Sequence, residues 1–128
     1  MSFGKKQIYF VDDDESVCRA LSLLLETFGF DVKTFASADE FLNSVLKSDQ
    51  GCLILDVHMK GMDGFELQQK LNTNGFRLPI IFVSADKSLK FSESYLKSVG
   101  AVGFLKKPFN DQALVNLIKM AFEKSDKI

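Results

Sequence analysis

The chain has little of what several common classes of protein need. Its 128 residues include no tryptophan, one histidine and two cysteines. Two cysteines are too few for a disulfide framework, and neither Cys18 nor Cys52 has metal-ligand spacing to the other or to His58. The sequence therefore argues against a disulfide-stabilised domain and against a metal site built from cysteine and histidine. Both cysteines are predicted to be buried free thiols.

An excess of charge and a long apolar run are missing as well. Sixteen Lys and Arg residues against seventeen Asp and Glu residues give a formal net charge of −1, which lacks the positive excess that non-specific nucleic-acid binding requires. No apolar run approaches the ~20 residues of a membrane-spanning helix, and the N-terminus lacks the apolar stretch of a signal peptide. We expect one cytoplasmic domain over residues 1–128 that binds neither nucleic acid nor membrane.

Short β-rich runs alternate with segments of helical periodicity. The predicted strands are residues 8–11, 32–35, 52–55, 80–83 and 102–105. Three of these runs are apolar almost throughout, which is typical of parallel strands covered on both faces.

Five helices are predicted between and after these strands. The first has apolar residues at helical spacing from Val17 to Phe28, with Gly29 as a stop signal. The second starts at a capping box over residues 37–40. Its predicted buried stripe is Phe41, Leu42, Val45 and Leu46. The third and fourth are expected at residues 65–71 and 89–99. The fifth follows a cap at Asn110 or Asp111 and buries Leu114, Leu117, Ile118, Ala121 and Phe122.

This order of elements predicts an α/β fold, the flavodoxin-like (βα)5 arrangement. It is a doubly wound, five-stranded parallel sheet with helices on both faces. The functional site of such a sheet lies beyond the carboxyl ends of its strands, close to the point where the strand order reverses.

Polar residues stand at four of these strand ends. Asp12 and Asp13 follow the first strand, Asp56 the third and Ser84 the fourth, while Lys106 and Lys107 follow the fifth. Acidic residues at a helix start also have a structural explanation, because they complement the helix dipole. Asp56 is harder to explain in this way, since a carboxylate at the end of an apolar strand costs free energy unless a cation or hydrogen-bond donors compensate it.

Together these side chains indicate a chemistry that none of them indicates alone. Two or three carboxylates within a few ångströms repel one another unless a divalent cation lies between them, and oxygen ligands with retained water are typical of Mg²⁺. A lysine and a hydroxyl group opposite them would bind a phosphoryl group carried by one carboxylate.

Four motifs carry a resemblance to a known family. They are Val-Asp-Asp-Asp at 11–14, Leu-Asp at 55–56 with Met-Lys-Gly-Met-Asp-Gly at 59–64, Ser-Ala at 84–85, and Phe-Leu-Lys-Lys-Pro-Phe at 104–109. In this order at successive strand ends, the sequence resembles the receiver domain of two-component response regulators over nearly its whole length.

The resemblance implies a phosphorylation site and a metal site. Asp56 would accept a phosphoryl group from a sensor histidine kinase or a phosphotransfer protein. Asp13 matches the principal metal carboxylate, and Asp12 the neighbour that acts mostly through metal-bound water. Asp56 and the backbone carbonyl of His58 would complete the protein's share of the Mg²⁺ ligands.

The resemblance also implies a switch. Lys107 matches the lysine that binds a phosphoryl oxygen, and its peptide bond to Pro108 is often cis in this family. Ser84 takes the place of the switch hydroxyl, and Phe104 that of the aromatic residue whose rotamer follows it. The domain would catalyse only its own phosphorylation and dephosphorylation. Its output would be a changed affinity for a partner, including a phosphorylation-dependent homodimer.

Three features depart from the family pattern. Lys60 stands where the family often has proline, so the loop loses a fixed φ and gains a cation near the acidic residues. His58 and Asp86 occupy positions thought to influence phosphoryl loss. They could pair or position water, or His58 could be a solvent-facing loop residue. The stretch 84–100 is about one residue longer than usual, which leaves the geometry of the fourth-helix face open.

Three other functions fit the sequence less well. A receiver-like interaction module that never takes a phosphoryl group has no need of Asp13, Asp56, Ser84 and Lys107 together. A Mg²⁺-dependent phosphohydrolase usually needs a carboxylate two residues after its nucleophile, where this chain has His58. A nucleotide- or flavin-binding domain needs a glycine-rich phosphate loop, which is absent after the first strand.

We expect either a free-standing receiver or the N-terminal part of a longer regulator. Residues 64–69 and 78–82 resemble receivers that precede helix-turn-helix DNA-binding domains, in which case DNA contact would belong to that other part.

Overall fold

The computed structural model describes residues 6–86, 88, 90 and 92–126, which form alternating strands and helices. The strands are β1 (Gln7–Val11), β2 (Asp31–Phe35), β3 (Cys52–Asp56), β4 (Ile80–Ser84) and β5 (Ala101–Lys106). The helices are α1 (Glu15–Thr27), α2 (Ala38–Ser44), α3 (Gly64–Thr73), α4 (Glu93–Ser98) and α5 (Asp111–Asp126). All five predicted strands are present within one or two residues of the expected bounds. Within the described residues, no helix is long and apolar enough to cross a membrane.

The strands form one parallel sheet in the order β2-β1-β3-β4-β5. The strand order reverses between β1 and β3, whose paired residues run to Val11 opposite Leu55. The next residues along these neighbouring strands, Asp12 and Asp56, therefore meet at the edge where the fold predicts a site. The predicted flavodoxin-like arrangement is confirmed.

Strand alternation divides the core into two layers. In β1, Ile8 and Phe10 contribute to the cluster that includes α1 and α5, whereas Tyr9 and Val11 contribute to the cluster on the other face. Both faces of β3 and β4 are buried in the same way, as expected of strands covered by helices on both sides. Cys18 and Cys52 are buried free thiols, as predicted.

The helix starts follow the predicted caps. The Ser37 hydroxyl accepts a hydrogen bond from the Glu40 N–H at 3.1 Å, and the Asn110 side chain accepts one from the Ala113 N–H at 3.0 Å. Asn110 is therefore the cap of α5. These bonds satisfy amide groups that have no partner within the helix.

The buried stripe predicted for the second helix is wrong at its last residue. Helix α2 ends at Ser44, and Val45 has an extended backbone with φ −106° and ψ 135°. Val45 is buried, but Leu46 is 65% exposed. The Leu46 N–H donates to the Asp49 carboxylate at 2.8 Å, and this turn takes Leu46 off the inner face of the helix.

The fourth helix is shorter than the predicted 89–99. Helix α4 begins after Ser92, whose hydroxyl accepts a hydrogen bond from the Tyr95 N–H at 3.1 Å. The predicted start at Leu89 lies outside the described residues. Ser92 lies in the middle of a weakly amphipathic segment, and its side chain fixes the start of the helix. Apolar periodicity did not reveal this start.

Gly64 allows α3 to start directly against the end of β3. A Cβ atom at this position would lie 2.6 Å from the backbone oxygen of Asp56. The Gly64 N–H also donates to the Val57 carbonyl at 2.9 Å. Close approach of two backbones requires glycine here, and it fixes the loop between β3 and α3 beside Asp56.

Truncating Phe41 and Leu46 should separate the buried part of the predicted stripe from its exposed end. Phe41 is fully buried, so Phe41→Ala should lower the free energy of unfolding by about 3–5 kcal/mol. Leu46→Ala should change it by no more than about 0.5 kcal/mol. Urea denaturation followed by circular dichroism measures both values. Similar losses for the two variants would contradict the exposed position of Leu46.

Candidate functional site

Asp12 anchors the acidic end of the sheet. Its backbone N–H donates to the Phe35 carbonyl at 3.1 Å, and its side chain is buried. One carboxylate oxygen, Oδ1, accepts the Asp14 N–H at 2.9 Å, and the other, Oδ2, accepts the Lys107 ammonium at 2.5 Å. Asp14 in turn caps α1 through hydrogen bonds from the Ser16 and Val17 amides. The loop after β1 is therefore held from both sides.

Asp56 ends β3 with its side chain only 8% exposed. The Nζ atom of Lys107 lies 3.6 Å from its Oδ2 oxygen. Carboxylate oxygens of Asp12, Asp13 and Asp56 lie within 4.8 Å of one another. The structure thus brings together the three predicted carboxylates and the predicted lysine.

Lys107 reaches these carboxylates from the loop after β5. Its N–H donates to the Ser84 carbonyl at 2.8 Å, which ties this loop to the end of β4. The peptide bond between Lys107 and Pro108 is cis, as the resemblance implied. Lys106, its neighbour, is exposed, whereas Lys107 is partly buried and contacts the cluster.

The charges of the cluster are only partly compensated. Burial raises the pKa of Asp56 from the ordinary 3.8 to about 6, and the nearby Asp12 carboxylate adds to the shift while Lys107 opposes it. Burial disfavours the charged form of Lys107, but its hydrogen bond to Asp12 and the negative charges of Asp56 and Asp12 raise its pKa above the usual value. One ammonium group contacts two of the three carboxyl groups of the cluster, so the site favours a further positive charge.

The donor set fits Mg²⁺. All three carboxyl groups offer hard oxygen ligands, which Mg²⁺ prefers to nitrogen and sulfur. The exposed position of Asp13 leaves room for the waters that Mg²⁺ retains. The resemblance also implied that the backbone carbonyl of His58 is a metal ligand, and this assignment stays a prediction.

Asp13 is held by the opposite loop. Its Oδ2 oxygen accepts the backbone N–H of Lys60 at 3.1 Å. Sequence reasoning identified Lys60 as a departure from proline but did not predict this bond. The signal was available, because any residue other than proline at this position has an N–H to donate.

The two predicted switch residues lie on neighbouring strands. Ser84 is fully buried at the end of β4, and its hydroxyl oxygen accepts the Asp86 N–H at 3.0 Å. Phe104 lies on β5 opposite Phe82 and packs, partly buried, against the second core cluster. Ser84 is thus next to the lysine loop, and Phe104 lies on the strand beside it.

His58 and Asp86 form a pair across two loops. The Nε2 atom of His58 lies 3.2 Å from the Oδ2 oxygen of Asp86, although the imidazole is 59% exposed. The Asp86 carboxylate also accepts hydrogen bonds from Ser88, which lower the pKa of Asp86 below its usual value. Of the alternatives that the sequence left open, two hold together: His58 pairs with Asp86, and its imidazole still faces solvent.

Replacing Asp56 by asparagine should stabilise the metal-free domain. The pKa of about 6 in the folded state lies above the ordinary 3.8, so ionisation disfavours the folded state and stability falls as the pH rises through that interval. Asp56→Asn removes this cost and should add about 1–3 kcal/mol at about pH 7.5. The gain should fall to about 0.5 kcal/mol at about pH 4 and vanish below the ordinary pKa of 3.8, where the carboxyl group is protonated in both the folded and the unfolded state.

Urea denaturation in EDTA at the two pH values measures this gain. Asp31→Asn is the matched control, because Asp31 is exposed on β2 and its replacement removes the same charge far from the cluster. Equal effects of the two substitutions at both pH values would contradict the electrostatic account.

Comparisons with known proteins agree on one family. The profile of the response regulator receiver domain matches residues 8–119. The response regulator protein TodT of Pseudomonas putida is 42% identical over 123 residues, which are 96% of this chain and 54% of TodT. The transcriptional regulatory protein TdiR of Thauera aromatica is 40% identical over 114 residues, 89% of this chain and 50% of TdiR.

A solved structure of the response regulator StyR shows the same architecture. It superposes with a TM-score of 0.87 at 39% sequence identity and covers 94% of this chain and 60% of its own. The chain spans about half the length of the relatives TodT and TdiR. Residues 8–119, which the family profile matches, include helices α1 to α4 in full and all five strands except the first residue of β1. The chain therefore belongs to the response regulator receiver domain family.

Proposed function

We propose that the domain is the phosphoacceptor of a two-component phosphorelay, with Asp56 as the phosphorylated residue. The observation that carries this proposal is the position of the Asp56 carboxylate. It is almost fully buried, lies 3.6 Å from the Lys107 ammonium, and shares a cluster with Asp12 and Asp13. A buried carboxylate between a lysine and further carboxylates is poorly explained as a structural group.

The proposed reaction is a displacement at phosphorus. A carboxylate oxygen of Asp56 forms a bond to the phosphorus atom, and the bond between phosphorus and the donor's leaving group breaks. The leaving group is an imidazole when the donor is a phosphohistidine and an acetate when it is acetyl phosphate. Bound Mg²⁺ would neutralise charge on the phosphoryl oxygens. Asp12 and Asp13 would hold that cation, together with Asp56 and the His58 carbonyl.

Lys107 would stay close to the negative charge before and after phosphoryl transfer. Its ammonium group contacts Asp12 at 2.5 Å before transfer and lies within reach of an oxygen on a phosphorylated Asp56. A fixed cation at the position where negative charge accumulates lowers the barrier without reorganisation. The bond to Asp12 also keeps Lys107 oriented while the acceptor is unmodified.

The phosphoryl group would act on the structure through Ser84 and Phe104. The Ser84 oxygen accepts a hydrogen bond from Asp86, which leaves its hydroxyl hydrogen for a phosphoryl oxygen. A shift of Ser84 would open space beside β5, and Phe104 would turn into it. The new dianionic group thus biases a two-state element on the face of α4, β5 and α5.

The partners follow from this chemistry. A sensor histidine kinase or a phosphotransfer protein would supply the phosphoryl group, and the remodelled face would change the affinity for a partner or for a second copy of the chain. The transcriptional regulatory relative TdiR is about twice as long as this chain. This supports a role in transcription regulation in which another part of a longer regulator contacts DNA.

Incubation with acetyl phosphate and Mg²⁺ should add one phosphoryl group to the chain. Intact-mass spectrometry measures the adduct, which should be absent without Mg²⁺ and in Asp56→Asn. Asp31→Asn is the control and should be modified like the wild type, because Asp31 lies at the opposite end of the sheet on β2.

Rapid hydrolysis could hide the adduct, so the experiment needs a stable mimic. Beryllofluoride with Mg²⁺ should change amide NMR signals of Ser84 and Phe104 in the wild type and leave Asp56→Asn unchanged. If neither an adduct nor a spectral change were observed, the phosphoacceptor proposal would be overturned in favour of a phosphorylation-independent interaction module.

Two adjacent lysines allow a sharp test of the role of Lys107. Lys107→Ala should slow phosphorylation by acetyl phosphate at least about tenfold, because it removes the cation that faces Asp56. Lys106→Ala, which removes an exposed charge one residue away, should stay within about twofold. The rate of adduct formation by intact mass decides the matter. Equal rates in the two variants would exclude a specific role for Lys107.

A further inference from the structure

The carboxylate of Asp13 is held differently from those of its neighbours. Asp12 and Asp56 are buried and contact Lys107. Asp13 is exposed, and the Lys60 N–H is the only hydrogen-bond donor to its carboxylate among the residues that the structure describes. Without that bond, an exposed aspartate side chain is free to change rotamer.

The bond joins two loops that the chain separates by 47 positions. Asp13 lies in the loop after β1, whereas Lys60 lies in the loop between β3 and α3. The second loop is itself fixed, because Gly64 packs against the backbone of Asp56 and donates to Val57. Lys60 therefore presents its N–H from a supported position.

Only a residue other than proline can make this contact. Proline has no backbone N–H, so the identity of residue 60 decides whether Asp13 has a donor. The described residues other than glycine have no positive φ, so the backbone at Lys60 has the sign of φ that proline requires. Proline at this position would remove the donor without reversing the sign of φ.

We propose that the backbone amide of Lys60 is a positioning group that orients the Asp13 carboxylate for Mg²⁺. The proposal rests on the metal site of the proposed function. The amide engages Oδ2 of Asp13 and limits the rotation of the carboxylate, while its other oxygen stays open to a cation. Ligating carboxylates in metal sites are commonly held by hydrogen bonds of this kind, and their loss weakens metal binding.

The side chain and the backbone of Lys60 should act in opposite directions. The exposed ammonium group adds a positive charge to the loop beside the cluster and disfavours a further cation. The amide orients a ligand and favours it. Lys60→Ala removes the first effect alone, whereas Lys60→Pro removes both, so the difference between these two variants isolates the amide.

A Mg²⁺ titration followed by amide NMR shifts tests the proposal. Lys60→Ala should bind Mg²⁺ as tightly as the wild type or slightly more tightly. Lys60→Pro should bind about tenfold more weakly than Lys60→Ala. Equal affinities of the alanine and proline variants, or tighter binding by the proline variant, would overturn the proposal. Urea denaturation in EDTA should show both variants folded under the titration conditions.

Amide hydrogen exchange tests the bond itself in the metal-free protein. The Lys60 N–H should be protected in the wild type and lose protection in Asp13→Ala. The Glu66 N–H is the internal reference, because it donates to Asp63 at the start of α3 and should stay protected in both. Unchanged protection of Lys60 in Asp13→Ala would overturn the proposal even if the proline variant bound Mg²⁺ weakly.

The outcomes separate this proposal from the function on which it depends. A wild-type protein that gives no Mg²⁺-dependent shifts would overturn the metal site and the positioning role together. A wild-type protein that binds Mg²⁺, with equal affinities in the proline and alanine variants, would overturn the positioning role alone and leave the phosphoacceptor proposal intact.

Discussion

The contact of Lys107 with Asp12 and Asp56 is the interaction on which the rest of the site depends. Removing one partner of a buried ion pair leaves the other charge uncompensated, which commonly costs about 3–5 kcal/mol. Here one ammonium group serves two carboxylates, at 2.5 Å and 3.6 Å. The pKa of Asp56 is nevertheless raised to about 6, so the lysine does not fully offset burial and repulsion. The site therefore favours the binding of a further positive charge.

The parallel sheet is what makes this concentration of charge possible. Strands β1 and β3 are neighbours and point the same way, so the residues that follow their apolar runs meet at one edge. The two core layers fix these strands from both sides, and the loops that carry Asp13 and Lys107 are tied down by backbone hydrogen bonds. A stable scaffold can thus hold side chains in an arrangement that is unfavourable by itself.

Sequence reasoning was most accurate where several strand ends pointed to the same edge of the sheet. Apolar runs predicted five strands, and their polar ends predicted the cluster of Asp12, Asp13, Asp56 and Lys107. It was wrong at Leu46, because helical periodicity does not reveal where a backbone leaves the helix for a turn. It also overextended the fourth helix, since a serine can cap a helix or lie within it. The pair of His58 with Asp86 was one of several alternatives, because two loops of unknown conformation had to meet.

By itself, the sequence determined the element order, the parallel sheet, the two core faces and the residues at each strand end. These follow from periodicity and from the direction of the chain, which are local properties. Only the tertiary structure decided which polar atoms meet across the loops: the Lys60 amide with Asp13, and His58 with Asp86. Such contacts join residues far apart in the chain. Their geometry depends on how the core orients each loop, and no local pattern encodes that orientation.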